Sequence, residues 1–301
     1  MKKAYRANLQ LSKANIGKLQ AINDILDQYA EQGYKLTLRQ LYYQLVTNNL
    51  IPNKKAEYAK LSTLLVKGRM GGVVDWDAIE DRIRIPNIPY EVKDIPDALQ
   101  DTVDAYRLNR QRGQENYIEI WTEKDALSNI LKRITYKYHV RLMVNRGYSS
   151  CTAMHDAYKR IDNAIDGDSD AQKAVILYLG DHDPSGLDMV RDVRERLCEF
   201  GLDDDNLMVK HIALTADQID KHTPPPNPAK VSDPRAGWYL KQYGNTSWEV
   251  DALSPTTLHK VIEEEIKPFM DMNLYRAILE EELADRGKLQ KFIDKHEEGD
   301  E

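Results

Sequence analysis

The chain reads as an α/β protein preceded by a small α-rich domain. Between residues 117 and 214, short apolar β-branched runs alternate with amphipathic segments of helical period, the pattern of a mainly parallel sheet covered by helices. Ahead of them, residues 1–74 hold three short helical segments and a net charge of +8, against −15 for the remainder. A basic front on an acidic protein points to a partner that meets the front alone, such as a nucleic acid. The 301 residues are 42% hydrophobic and 30% charged, enough apolar material for a large core. No run of about 18 apolar residues exists, so no membrane span is expected.

In the first part, Leu11 to Tyr29 places Ile16, Leu19, Ile22, Ile25 and Leu26 at helical spacing, and Gly33 closes the helix. Thr37 is a candidate N-cap for a second helix, Leu38 to Val46, stopped by Asn48 and Asn49. A third helix spans roughly Ala56 to Lys67, and Gly68-Arg-Met-Gly-Gly72 is expected to break it. Asp75 to Asp81 reads as a short capped helix. Three short helices and a basic, glycine-containing turn fit a helix-turn-helix or winged-helix domain, and equally any small helical bundle. Pro86, Pro89 and Pro96 punctuate a connector. Two domains are therefore expected, 1–90 and 117–301, joined by a 91–116 linker in which Asp97 to Arg112 forms a charged bridging helix.

In the second part, strands are expected at Tyr117 to Trp121, Val140 to Val144, Ala174 to Leu179 and Met208 to Leu214. Helices are expected at Lys124 to Tyr138, Cys151 to Ile165 and Leu187 to Phe200. Asp166 to Asp170 reads as a surface loop, Pro224 to Pro228 as an extended exposed segment, and the tail from Ser254 as helical. Trp238, Trp248 and Glu249-Val-Asp-Ala-Leu253 read as ordinary core and capping positions without a functional role. Cys151 and Cys198 lack metal-ligand spacing, and nothing resembles a secretory signal, so a reduced, cytoplasmic, nucleoid-associated protein is expected.

The chemistry concentrates in Val175-Ile-Leu-Tyr-Leu-Gly-Asp-His-Asp-Pro-Ser-Gly186. A buried-type strand stops at Gly180, and Asp181 and Asp183 emerge before Pro184 to Gly186 turn the chain into a helix. Carboxylates at i and i+2 across such a turn can both reach one hard cation. The first strand repeats the arrangement, running into Thr122-Glu123-Lys124-Asp125. Adjacent parallel strands bring their carboxyl edges together, so Glu123 is expected to face Asp181 and Asp183. Three carboxylates without histidine or cysteine suit Mg²⁺ or Mn²⁺ rather than Zn²⁺. Taken singly, an Asp-rich turn is also an ordinary loop, and Glu123 an ordinary helix-start residue.

A glutamate closing one strand and an Asp-x-Asp closing a later one resembles a Toprim domain. The fuller string Gly180-Asp-His-Asp-Pro-Ser-Gly186 is similar to the A subunit of type IIB topoisomerases (topoisomerase VI) and the related meiotic double-strand-break transesterases. Thr37-Leu-Arg-Gln-Leu-Tyr-Tyr43 matches that family's Arg-x-x-Tyr-Tyr signature, whose second tyrosine is the nucleophile on a winged-helix domain. The resemblance covers roughly residues 35–215 and is nearest to the short stand-alone "mini-A" members found on mobile elements. It implies a winged-helix domain followed by a Toprim domain, and Tyr43 as nucleophile with Arg39 on the same helix face. A Tyr-Tyr pair on an amphipathic helix is otherwise core packing.

The activity implied is a metal-assisted transesterification of DNA that leaves a 5′-phosphotyrosyl link and a free 3′-hydroxyl. Glu123, Asp181 and Asp183 would hold Mg²⁺ or Mn²⁺, and Arg39 would bind the scissile phosphate. Lys124 and His182, beside the ligands, would contact phosphate or face solvent. Arg146 is a further phosphate candidate, and Lys67 and Arg69, in the expected wing, would bind backbone. The resemblance implies double-stranded DNA as partner and a homodimer in which each tyrosine serves the partner's metal site. Family A subunits work with a separate ATPase subunit, but this chain holds no Gly-x-x-x-x-Gly-Lys-Ser/Thr loop, so no ATP site is expected in it. The rival reading is a Toprim nuclease in which water attacks and Tyr43 is structural. A third is a DNA-binding protein without catalysis.

Overall fold

A computed structural model describes residues 4–6, 11–80, 89–145, 147, 149–165, 171–229, 233 and 235–297. The architecture is α/β, mostly helical, around a parallel four-stranded sheet.

The front begins with α1 (Lys13–Glu31), capped by Ser12 and closed before Gly33 at φ +77°. Next come β1 (Leu36–Thr37) and α2 (Leu38–Thr47). The expected Thr37 cap is a full capping box: its hydroxyl accepts from the Gln40 amide and the Gln40 side chain accepts from the Thr37 amide. α3 (Lys55–Met70) passes Gly68 and is capped at Gly71, inside the expected Gly68–Gly72 break. Gly68 stays helical because a Cβ there would lie 2.8 Å from Leu19 and 2.9 Å from Val74, so its absence lets α3 close on its neighbours. Lys67 and Arg69, expected on a wing, therefore sit in the last turn of α3. A single 3₁₀ turn (Trp76–Ala78), capped by Asp75, leads to β2 (Ile79–Glu80), which pairs in parallel with β1.

α4 (Ile95–Ala105) stops short of the expected Arg112. The chain beyond it is drawn onto a C-terminal helix, where Glu282 accepts from the Leu108 amide at 2.9 Å and from the Arg110 guanidinium at 2.7 Å.

The sheet is built from β3 (Asn116–Thr122), β4 (Arg141–Val144), β5 (Lys173–Leu179) and β6 (Leu207–Ala213), in the order β4-β3-β5-β6. Its crossovers are α5 (Ser128–Tyr138), α6 (Cys151–Ile165) and α7 (Pro184–Glu199), all within a few residues of their expected limits. The two-residue period of a strand sorts the side chains onto two faces. Ile118, Ile120, Val175, Leu177 and Leu179 belong to one core with Leu131 of α5, and Tyr117, Trp121, Ile176 and Tyr178 to another with Met154 of α6 and Val193 of α7. Glu119 is buried on the second face, where Tyr117 and Trp121 donate to it and Arg160 grips both its oxygens at 2.7 and 2.9 Å, so its polar atoms are all partnered.

Beyond the sheet come α8 (Ala216–His222), β7 (Asn227–Pro228), α9 (Ala236–Tyr243), β8 (Thr246–Ser247), α10 (Pro255–Ile266) and α11 (Met272–Glu297). The proline segment is exposed only in part: Pro226 and Pro228 are exposed, Pro224 and Pro225 are buried, and Asn53 donates to the Pro226 carbonyl at 2.8 Å. One continuous apolar core holds Leu19, Leu41, Tyr43 and Leu61 together with Ile118, Leu177 and Ile262, so the front packs into the sheet's first layer. Among the described residues no helix is long and apolar enough to cross a membrane.

Candidate active site

The strand order sets the location. The chain leaves β3 for β4 on one side and returns to β5 on the other, so the carboxyl ends of β3 and β5 bound the crevice where an open parallel sheet keeps its ligands. Thr122 lies opposite Leu179, so the next residues, Glu123-Lys124 and Gly180-Asp181, enter the crevice side by side. Lys124 Nζ lies 2.5 Å from Asp181 Oδ2, 3.7 Å from Glu249 Oε2 and 4.0 Å from Glu123 Oε1.

A segment far along the chain forms the roof. His182 and Trp248 exchange backbone hydrogen bonds at 2.9 and 3.1 Å, which carries Glu249, Val250 and Asp251 over Asp181. The Val250 amide then donates to Asp181 Oδ1 at 2.9 Å. One carboxylate oxygen from each of Asp181, Glu249 and Asp251 lies within 4.8 Å of the others, a buried acidic triad of a size that can hold a metal ion. Asp251 is 0% exposed and neither of its oxygens accepts a hydrogen bond. Asp251 Oδ2 pairs with Arg39 Nε at 2.9 Å and Oδ1 is left without a partner; an all-oxygen cluster with such an oxygen fits a hard cation.

Helix α2 supplies the fourth wall. Arg39 pairs with Glu249 and, through Nε at 2.9 Å, with Asp251. One helical turn on, Tyr43 lies under the Arg39 guanidinium at 5.9 Å and is 4% exposed. Its hydroxyl accepts from Asn227 Nδ2 at 3.5 Å, and its ring meets Tyr42 edge-on at 5.4 Å. Arg39 and Tyr43 thus approach the acidic cluster of their own chain.

The charges explain the titration. Burial pushes the Asp181 carboxyl up to about 7; Lys124 opposes the rise, and Asp251 and Glu123 add to it. Burial works against the Lys124 charge, but Asp181, Asp251 and Glu123 outweigh it and hold the ammonium above its ordinary range. Burial and then Asp251 raise the Tyr43 phenol, with Arg39 pulling the other way. A carboxyl protonated below about pH 7 must release that proton to ligate. Divalent affinity is therefore expected to fall about tenfold per pH unit below 7, with about one proton released per ion at pH 6. Calorimetry in two buffers of different ionisation enthalpy reads that proton directly. The same group favours the metal-free fold fully below its ordinary value of 3.8, and that contribution is lost as pH rises through about 7.

The structure divides the expected site residues. It brings together Asp181, Lys124, Arg39 and Tyr43. Asp183 turns to α7, where its carboxylate caps the helix by accepting from the Gly186 amide at 2.7 Å. Glu123 lies beside Lys124 but outside the triad. His182, expected against phosphate or solvent, does not face solvent: it is 2% exposed, with Nδ1 3.0 Å from the Tyr239 hydroxyl. Lys67 is exposed on α3. Arg69 instead braces its own domain, donating to the Ile79 carbonyl at 2.9 Å and lying over Trp76. Arg146 lies outside the described residues, as does the Asp166 to Asp170 loop. Glu249 and Asp251, given no role from sequence, are two of the three triad carboxylates. The signal for them was present, since Glu249-Val-Asp251 repeats the acid-x-acid spacing of Asp181-His-Asp183.

Comparison of the chain with protein-family models, curated proteins and solved structures returns no match.

Proposed function

We propose that the protein is a divalent-metal-dependent DNA transesterase of the topoisomerase VI A-like kind, its front a winged-helix domain and its sheet a Toprim domain. The observation that carries the reading is the convergence, within one chain, of Tyr43 and Arg39 on the Asp181–Glu249–Asp251 triad at the sheet's switch point. Nothing in the spacing of α2 along the sequence obliges it to dock there, and a structural Tyr-Tyr pair has no need of an arginine reaching buried carboxylates.

In this reading Arg39 holds a non-bridging phosphate oxygen, the planar guanidinium matching the anion's geometry. Lys124 steadies a second oxygen. Tyr43 attacks phosphorus, forming a phenolic O–P bond as the 3′ O–P bond breaks, with the phenol proton passing to base or solvent. Mg²⁺ or Mn²⁺ held by Asp181, Glu249 and Asp251 would supply neutralising charge to the phosphate and the departing oxygen. Both Arg39 and Lys124 now sit on the carboxylates, so phosphate must compete for them. A cation held by Asp181, Glu249 and Asp251 would relieve that competition and leave Arg39 and Lys124 for phosphate.

The test is cleavage of supercoiled plasmid with Mg²⁺ or Mn²⁺, stopped with SDS and divided into protease-treated and untreated halves. DNA that migrates as cut only after proteolysis supports the transesterase. Free 5′-phosphate ends in both halves support the rival hydrolase, which the burial of Tyr43 and its raised pKa favour. Because Tyr43 lies against Arg39, which pairs with the cluster of its own chain, this reading needs a second copy only for the second strand. A twofold dimer on DNA is expected by light scattering, and a strict monomer that still yields double-strand breaks would remove the two-site arrangement.

A further inference from the structure

An aromatic group lies beside the triad and is not used by the mechanism above. His182 is its floor. Around that ring stand Tyr243 at 4.6 Å, Tyr239 at 5.7 Å and Trp248 at 5.9 Å between centroids, each edge-on. Trp238 follows, 5.9 Å from Tyr239 and 6.4 Å from Tyr243. Tyr239 is fully buried and anchored, its hydroxyl donating to the His182 and Thr246 carbonyls at 2.8 and 2.9 Å. The outer rings are not buried: Trp238 is 44% exposed, and Tyr243 and Trp248 are half-buried. A rigid inner aromatic layer thus holds an outer one at the surface.

Resting on the transesterase reading, we propose that Trp238, with Tyr243 and Trp248, is a stacking platform for an unpaired nucleobase next to the phosphate held at the triad. The occupant follows from position. Trp248 directly precedes Glu249 and His182 directly follows Asp181, and the bridge between His182 and Trp248 joins the two segments, so the backbone that carries two triad carboxylates also carries two of the rings. β7 and β8 tie the same platform to the nucleophile, since Asn227, which meets the Tyr43 hydroxyl, pairs with Ser247 next to Trp248. An aromatic surface beside a phosphate-binding centre presents what one nucleotide offers, a charged group and a flat ring. A base within a duplex has its faces covered by its neighbours, so the platform selects a base out of the stack. Protein partners share no such requirement for a phosphate one residue away.

The experiment measures binding of the full chain to three fluorescent probes with Ca²⁺ as the divalent ion at fixed salt. These are a short duplex, the same duplex with one bulged thymine, and the same duplex with an abasic residue at the bulge. The abasic probe keeps the phosphate and the flexibility and removes only the ring. Wild type is expected to prefer the thymine over the abasic probe about tenfold, within the range of one base–aromatic stack. Trp238→Ala should bring that ratio to about one without changing affinity for the paired duplex, and Trp238→Phe should restore most of it. Equal wild-type affinity for the thymine and abasic probes would overturn the platform while leaving the transesterase reading standing. Equal loss on all three probes in Trp238→Ala would do the same. Absence of binding to any probe would remove the DNA reading and the platform with it.

Discussion

Tyr43→Phe is expected to abolish protein-linked DNA, by at least about 10⁴-fold, with fold and DNA affinity almost unchanged. The selectivity follows from what the hydroxyl touches. The ring is core, packed on Tyr42 and covered by Arg39, and phenylalanine keeps both contacts. The hydroxyl makes one long hydrogen bond, from Asn227 at 3.5 Å, so its loss should cost no more than about 1 kcal/mol. Burial and Asp251 raise the phenol pKa, and Arg39 and the Asn227 hydrogen bond pull the other way. A bound cation would offset the carboxylates' part of this. Adduct formation should therefore need the divalent ion more steeply than DNA binding does. The measurement is SDS-stable adduct yield, read beside thermal denaturation and duplex affinity for both proteins. Cleavage at wild-type rate in Tyr43→Phe, with free 5′-phosphates, would assign the chemistry to water and make Tyr43 a packing residue.

How much of this was legible in the sequence depends on the range of the interaction. Local signals read well. Thr37 caps α2, Gly33 ends the chain segment after α1, and the β5 run ends at Gly180 with an aspartate just beyond it. The i, i+4 spacing of Arg39 and Tyr43 put both on one face, and they are so placed. The sequence says less where a distant partner decides. Asp183 shares a turn with Asp181, and its carboxylate caps α7, since a helix start is a strong local claim on a carboxylate. Glu249-Val-Asp251 shows its acid-x-acid spacing in the sequence, but its place over Asp181 depends on the His182–Trp248 bridge, a pairing that no periodicity announces. α4 ended early for the same reason, drawn off by Glu282 on α11. Gly68 was read as a breaker, whereas its lack of a side chain serves close packing.

Gly186→Ala is expected to damage both stability and the site. Gly186 is the third residue of α7, and a Cβ placed on it would lie 2.2 Å from the Asp181 carbonyl oxygen and 3.0 Å from the Asp181 nitrogen. Backbone, not a flexible side-chain end, is what it would strike. Either the start of α7 swings away, which breaks the Asp183 cap, or Asp181 moves, which takes its carboxylate from Lys124, from the Val250 amide and from the triad. Overpacking of this kind costs about 3 kcal/mol, and displacement of a ligating group by about 1 Å costs about 10²-fold in rate. Urea denaturation and divalent-ion calorimetry should both register the change. Gly237→Ala is the control: it lies inside α9, a Cβ there meets nothing within 4 Å, and alanine in a helix should be neutral or stabilising by up to about 1 kcal/mol. Equal behaviour of the two variants would mean that the turn can relax without moving Asp181, and the close approach would then not be what positions the triad. A fall in divalent affinity confined to Gly186→Ala would tie the Pro-Ser-Gly turn to the chemistry through one backbone contact. The glycine following Asp-x-Asp-Pro-Ser would then be a condition for placing the first aspartate, with the second aspartate holding the helix that presses against it.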